Sequence, residues 1–224
     1  MYRGIPLVVA VLVVLHVVPE VFFLCADQGW FGPHNLRQIA YTLGAFWKPL
    51  LLGAQPVYSG QPVAMFGTYA LLHGGPVHLL VNMVALVSFG AAIVARIGQK
   101  RFLVVYAVSA LGGSAGFGLF SDSSAPMVGA SGALFGLLGV WVCWDYLERR
   151  TYGDPLWVTL RAIAFLIVYN LVFWVLLSGN LAWETHLGGF VAGWLLAVYW
   201  GLSLLEQSRS RRGLDTEPAE KSDA

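Results

Sequence analysis

The fold is decided by the stretch GASGALFGLLG at residues 129–139, which opens an apolar segment of the chain. Gly132, Gly136 and Gly139 follow the i, i+4, i+7 spacing that puts residues on one face of an α-helix. Small residues at this spacing let two helices approach each other closely in lipid. Ser131 stands at the start of this face, so the pattern predicts a membrane helix with a hydroxyl group in its first turn.

The composition extends this prediction to the rest of the chain. Its 224 residues are 58% hydrophobic and only 11% charged, with a mean hydropathy of +0.69, whereas an average soluble domain is about 25% charged. A helix of about 20 apolar residues crosses the hydrocarbon core of a bilayer, which is about 30 Å thick. Six segments have this character: 5–24, 76–95, 102–120, 131–146, 156–177 and 185–205.

These segments predict an all-α, polytopic membrane protein with a bundle of six transmembrane helices. The apolar runs are too long and continuous for barrel strands, and backbone polar groups in lipid must bond within their own segment. Residues 1–205 are expected to form this transmembrane domain, and the polar residues 206–224 to form a disordered cytoplasmic tail. The first segment is longer than the apolar core of a usual signal peptide, which favours a retained span.

The basic residues predict the orientation. If the six segments alternate in direction, eleven of the 13 Lys and Arg residues lie on the side that holds the N terminus, and only Arg37 and Lys48 lie on the other. Because Lys and Arg mark cytoplasmic loops, both termini are expected in the cytoplasm, with Ser131 toward the outer face of a cell membrane. The net charge of +1 gives no case for a nucleic-acid partner. The sequence has no recognisable metal-ligand cluster, so no metal or cofactor is expected.

Between the first two segments, residues 26–75 are rich in aromatic residues and prolines. Aromatic side chains favour the boundary between water and lipid. We therefore expect a partly lipid-immersed structural connection on the outer side, with a short interfacial helix over residues 36–43.

A serine hydroxyl is a weak nucleophile unless a base lies within hydrogen-bonding reach and donors stabilise the oxyanion that forms. His186 in the sixth segment is the candidate base, because an imidazole can accept and return a proton near neutral pH. Gly189 and Gly193 follow it at helical spacing, so this face can approach the glycine face of the fourth segment. The alternative is that both glycine faces serve packing alone and that the serine and histidine are incidental.

The second segment carries His78 and Asn82 one helical turn apart. Polar side chains in lipid are costly unless they face the protein interior, pair or have a function. Together with the backbone N–H of Ser131, this pair can donate to an oxyanion; the alternative is hydrogen bonding between helices. His73 is interpreted as structural, and Asp122 as a solvated loop residue rather than a third catalytic group.

Three motifs together resemble the rhomboid family of intramembrane serine proteases. They are His-x-x-x-Asn at 78–82, Gly-x-Ser-Gly at 129–132, and a histidine before spaced glycines at 186–193. Their order and segments match the family pattern over residues 5–205.

The resemblance implies a protease in which Ser131 is the nucleophile and His186 its base, in a dyad without a carboxylate. It also implies an oxyanion hole formed by His78, Asn82 and the Ser131 N–H. The implied substrates are single-span membrane proteins cleaved in or near the bilayer. Family members often carry a tyrosine four residues after the nucleophile, whereas this chain has Phe135, whose ring can still stack on the catalytic histidine.

Two other functions remain as alternatives. A catalytically silent rhomboid-like protein would bind membrane clients, although such proteins usually lack the serine or the histidine. A small transporter would use polar groups at the midplane, but the sequence shows no inverted repeat. A soluble esterase would need Gly-x-Ser-x-Gly, and position 133 is alanine.

Overall fold

The computed structural model describes residues 4–201, so the predicted tail at 206–224 and the last residues of the sixth segment lie outside the described part. Eight α-helices and one 3₁₀ turn (Tyr69–Leu71) make up this part. They are α1 Leu7–Asp27, α2 Leu36–Gly44, α3 Lys48–Leu51, α4 Gln61–Thr68, α5 Pro76–Phe120, α6 Ser131–Tyr152, α7 Trp157–Leu176 and α8 Trp183–Tyr199. Strand pairing in residues 4–201 is limited to one isolated bridge, Phe46 with Met127. The all-α prediction is confirmed.

Helix α5 covers two predicted segments, the second and the third. Its backbone leaves the helical conformation at Gly98, where φ is 78° and ψ is 166°. A residue without a Cβ adopts this conformation at little cost. A methyl group on Gly90 would touch the ring of Phe102, at 3.4 Å, although twelve residues of straight helix would span about 18 Å. The two arms of α5 therefore fold back on each other at Gly98.

Three helices in the described residues combine the length and apolar character needed to cross a membrane: α1, α5 and α7. The protein is thus a helical membrane protein. The exact count of six crossings stays a prediction, because α6 and α8 are not among these three.

The centre of the bundle is formed by α5, α6 and α8, with α1 packed on α5. Glycines carry the contacts: a methyl group on Gly188 of α8 would lie 3.0 Å from Cα of Gly116 on α5 and closer still to the carbonyl oxygen of Gly112. Such short approaches let helix backbones touch directly in lipid. By contrast, α7 lies at the edge and buries only Thr159.

The connection at residues 26–75 is folded onto α1 by an ion-pair cluster. Arg37 of α2, at the start of the helix predicted at 36–43, bonds the buried carboxylate of Glu20 at 2.9 Å and that of Asp27 at 2.8 Å. Tyr41 donates its hydroxyl to the carbonyl oxygen of His73 at 2.5 Å. The connection is therefore attached to the turn that leads into α5.

Candidate active site

The contact between α6 and α8 is backbone against backbone. A methyl group added to Gly189 would lie 2.7 Å from the carbonyl carbon of Gly132, and one on Gly193 would lie 2.6 Å from that of Gly136. Both added methyl groups would lie even closer to the carbonyl oxygens of the same two residues of α6. Only a residue without a side chain fits at these positions, so the two predicted glycine faces meet each other.

This contact brings His186 over the first turns of α6. Its ring stacks on Phe135 with centroids 4.0 Å apart and planes 6° apart. Phe135 is one turn after Ser131, so both residues lie on the same face of α6. His186 is 6% exposed, and Ser131, the first residue of α6, is half-buried.

No hydrogen bond joins the Ser131 hydroxyl to His186 in the described part of the chain; the bond of this imidazole is made to Asn170. In enzymes without substrate, catalytic hydrogen bonds are often long and tighten only in the reacting complex. Ser131 thus lies on the face of α6 whose Phe135 stacks on His186 of α8, without a hydrogen bond between the serine and the histidine.

Asn170 is a residue that sequence reasoning missed. It lies on α7, and its Oδ1 is 2.5 Å from Nδ1 of His186, while its Nδ2 donates to the carbonyl oxygen of Leu166 at 2.9 Å. The signal was present in the sequence: an asparagine within the apolar segment 156–177, where polar groups are costly unless they have a partner or a function.

His78 sits beside the loop that precedes Ser131. Its Nδ1 accepts a hydrogen bond from the N–H of Gly74 at 3.2 Å, so the ring proton of the neutral imidazole is on Nε2. A methyl group on Gly129 would lie 3.0 Å from this Nε2. Gly129 also has a φ of +130°, so both the backbone and the close ring require glycine here. Nε2–H is therefore a donor beside the N-terminal end of α6.

Asn82 lies one turn below His78 on α5 and is 4% exposed. Its Nδ2 donates one hydrogen to the carbonyl oxygen of His78 at 2.9 Å, and the amide has a second hydrogen to offer. The N–H of Ser131 lies at the N-terminal end of α6, where the helix carries partial positive charge. The site thus has three groups that can donate to a negative oxygen.

Tyr69 holds the residues just before Ser131 in place, and the sequence did not reveal this contact either. Its hydroxyl donates to the carbonyl oxygen of Ala110 at 2.8 Å, and its own carbonyl oxygen accepts the N–H of Gly129 at 3.0 Å. The hydroxyl would lie 2.8 Å from a methyl group on Gly132. These contacts join the connection at residues 26–75, the second arm of α5 and the start of α6.

His73 is fully buried between two other imidazoles. Its ring centroid is 5.5 Å from that of His16 and 5.3 Å from that of His78. Neither ring nitrogen of His73 has a hydrogen-bond partner among the described residues. Burial, with smaller effects of His78 and His16, lowers the pKa of His73 to about 3, so this imidazole is neutral at physiological pH.

A cavity of about 520 Å³ lies between α6, α7 and α8. Its wall is almost entirely apolar, and His186 and Asn170 are among the residues that line it. The space between α7 and α8 therefore leads directly to the imidazole. Within residues 4–201, no group of three or more His, Cys, Asp or Glu side chains is placed to hold a metal ion.

These features define a class: a helical membrane protein with a glycine-packed core and a serine, a histidine and several hydrogen-bond donors near one end of α6. The Rhomboid domain profile matches residues 60–203. The chain belongs to the rhomboid family, as the three motifs indicated.

Individual relatives agree with this membership. RHOMBOID-like protein 4 of Arabidopsis thaliana is 39% identical over 126 residues, 56% of this chain and 31% of the relative. The Bacillus subtilis protein YdcA is 33% identical over 148 residues, 65% of this chain and 68% of that protein. Rhomboid protease GluP of B. subtilis is 34% identical over 135 residues, 60% of this chain and 25% of GluP. The matched region thus covers well under half of the Arabidopsis protein and of GluP.

Proposed function

We propose that the chain is an intramembrane serine endopeptidase that hydrolyses peptide bonds through a dyad of Ser131 and His186. The observation that carries the proposal is the stacking of His186 on Phe135, 4.0 Å between centroids, one helical turn from the serine. Membership of a family that includes named proteases supports the same reaction.

In the proposed mechanism, the Ser131 Oγ attacks the carbonyl carbon of the scissile bond while Nε2 of His186 takes its proton. The carbonyl oxygen becomes an oxyanion, which accepts hydrogen bonds from the Ser131 N–H, His78 Nε2–H and the Asn82 amide. The imidazolium then gives the proton to the leaving amine, and the C–N bond breaks. Water hydrolyses the acyl-enzyme by the same steps in reverse order.

The proposed substrates are single-span membrane proteins. Their scissile segment would leave the helical conformation to reach a serine in the bilayer, which small or helix-breaking residues favour. The proposed location is a cell membrane, with residues 1–205 as the protease domain, both termini in the cytoplasm and the site toward the outer face, because Lys and Arg are concentrated in the corresponding loops.

A fluorophosphonate probe, which reacts with activated serines, tests the nucleophile directly. We expect the purified protein in detergent to be labelled, and both Ser131→Ala and His186→Ala to lose labelling and cleavage of a fluorescent single-span peptide. Ser88→Ala, an exposed serine on α5, is the matched control and should react like the wild type. Labelling that persists in Ser131→Ala would remove the nucleophile, and folded wild-type protein that is never labelled would favour the client-binding alternative.

A further inference from the structure

An asparagine side chain on the lipid-facing helix α7 contacts the candidate base. Of the 20 residues of α7, only Thr159 is buried, yet Asn170 turns its amide toward α8 and bonds the ring of His186. Other side-chain hydrogen bonds from described α7 residues to another helix are limited to Thr159 with Asp145 at the far end. The bond to His186 is therefore the polar link between the middle of α7 and the bundle.

The direction of this hydrogen bond follows from the second bond of the same amide. Nδ2 of Asn170 faces the carbonyl oxygen of Leu166 at 2.9 Å, and a carbonyl oxygen can only accept. Rotating the amide by 180° would oppose two carbonyl oxygens at this distance. Oδ1 must therefore face His186, and because Oδ1 can only accept, Nδ1 of His186 carries a proton.

A proton on Nδ1 decides the chemistry of the other ring nitrogen. A neutral imidazole has one protonated nitrogen and one with a free lone pair. With Nδ1–H bonded to Asn170, the lone pair is on Nε2, which is the form that can take a proton from a serine hydroxyl. Stacking on Phe135 fixes the plane of the ring but does not distinguish its two edges, whereas the bond to Asn170 does.

We propose that Asn170 is a positioning residue that fixes the tautomer and in-plane orientation of His186, with Nδ1–H held by its Oδ1 and Nε2 left free as the base. This inference rests on the proposed dyad. When Nε2 takes the Ser131 proton, Nδ1–H stays bonded to Oδ1 and the cation is stabilised by a charge-assisted hydrogen bond. The same proton passes to the leaving amine, so Asn170 itself gains and loses none.

The decisive variants are Asn170→Leu, which removes the acceptor at similar volume, and Asn170→Asp, which keeps an acceptor. We expect Asn170→Leu to lower kcat on a fluorescent single-span peptide by about 10- to 100-fold with little change in KM. We expect Asn170→Asp to restore much of the rate and to move the acid limb of the pH–rate profile to higher pH, because a carboxylate stabilises the imidazolium. Asn180→Leu, at an exposed loop asparagine, should leave kcat and the pH profile unchanged.

Thermal unfolding in detergent is measured for every variant, so that a loss of folding is separated from a loss of orientation. A folded Asn170→Leu protein with wild-type kcat and pH profile would overturn the role of Asn170. So would equal rate losses in the Leu and Asp variants. If Ser131→Ala and His186→Ala still abolish labelling in that case, the dyad stands and only the present inference fails; if they do not, the proposed function itself fails.

Discussion

Replacing Gly189 by alanine should separate the two helices that carry the candidate dyad. The new methyl group would lie 2.7 Å from the carbonyl carbon of Gly132, where ordinary contact begins at 3.4 Å. Because backbone cannot move aside as a flexible side chain can, α6 and α8 must part by at least about 0.7 Å. Overpacking of this kind costs about 1–3 kcal/mol of stability. Misplacing catalytic groups by about 1 Å costs on the order of 100-fold in rate.

The assay pairs cleavage of a fluorescent single-span peptide in detergent with thermal unfolding of the same samples. Gly67→Ala is the matched control: Gly67 lies in α4 with nothing within 4 Å of the added methyl group. This control should keep its activity and gain up to about 1 kcal/mol from the better helix propensity of alanine. A Gly189→Ala protein that cleaves and unfolds like the wild type would refute the view that backbone contact positions His186.

Three other predictions concern the ring stacked on His186, the ion pair between α1 and α2, and the buried His73. Phe135→Leu should lower kcat about 2- to 10-fold through loss of the stacked ring, while Phe135→Tyr keeps the rate; equal rates for both would contradict the stacking argument. In chemical denaturation, Arg37→Met should lower the free energy of unfolding by about 3–5 kcal/mol, because it leaves the carboxylate of Glu20 buried without its partner. Adding Glu20→Leu should recover most of that loss in the same denaturation assay. The pKa of His73 is about 3 in the folded protein and 6.5 in the unfolded chain. Below pH 6.5 the unfolded chain therefore binds a proton that the folded protein does not, so the contribution of His73 to stability is complete above pH 6.5 and decreases as the pH is lowered further. Between pH 7.5 and 5.0 the free energy of unfolding of the wild type should fall by about 2 kcal/mol more than that of His73→Leu. Equal decreases in the two proteins would show that His73 is protonated in the folded protein.

Much of the fold could be predicted because membrane helices are specified locally. The helix beginning at Ser131 and the one beginning at Pro76 start where apolar runs start, as the sequence indicated. The predicted segments 76–95 and 102–120 are the two arms of α5, and what was not foreseen is the position of the kink between them, at Gly98. A glycine between two apolar runs predicts freedom of the backbone, but not the angle that it adopts.

The candidate site was only partly predictable, because its supporting contacts join distant parts of the chain. The glycine faces could be matched by spacing, since both helices obey the same period. The bond of Asn170 to His186 could not be predicted from spacing, because it depends on the rotation of α7 about its own axis. Nor could spacing reveal that Tyr69 supports Gly129 through its carbonyl oxygen. The catalytic roles of Ser131, His186, His78 and Asn82 stay predictions until the variants are measured.

The sparse packing of α7 exposes the helix that carries Asn170, the hydrogen-bond partner of His186, to the surroundings of the bundle. A helix that buries one residue of 20 against protein leaves most of its surface open to the surrounding acyl chains. Hydrophobic mismatch tilts such helices at a cost of only fractions of a kcal/mol per Å. We therefore expect membrane thickness and lipid composition, by changing the tilt of α7, to alter the hydrogen bond between Asn170 and the imidazole.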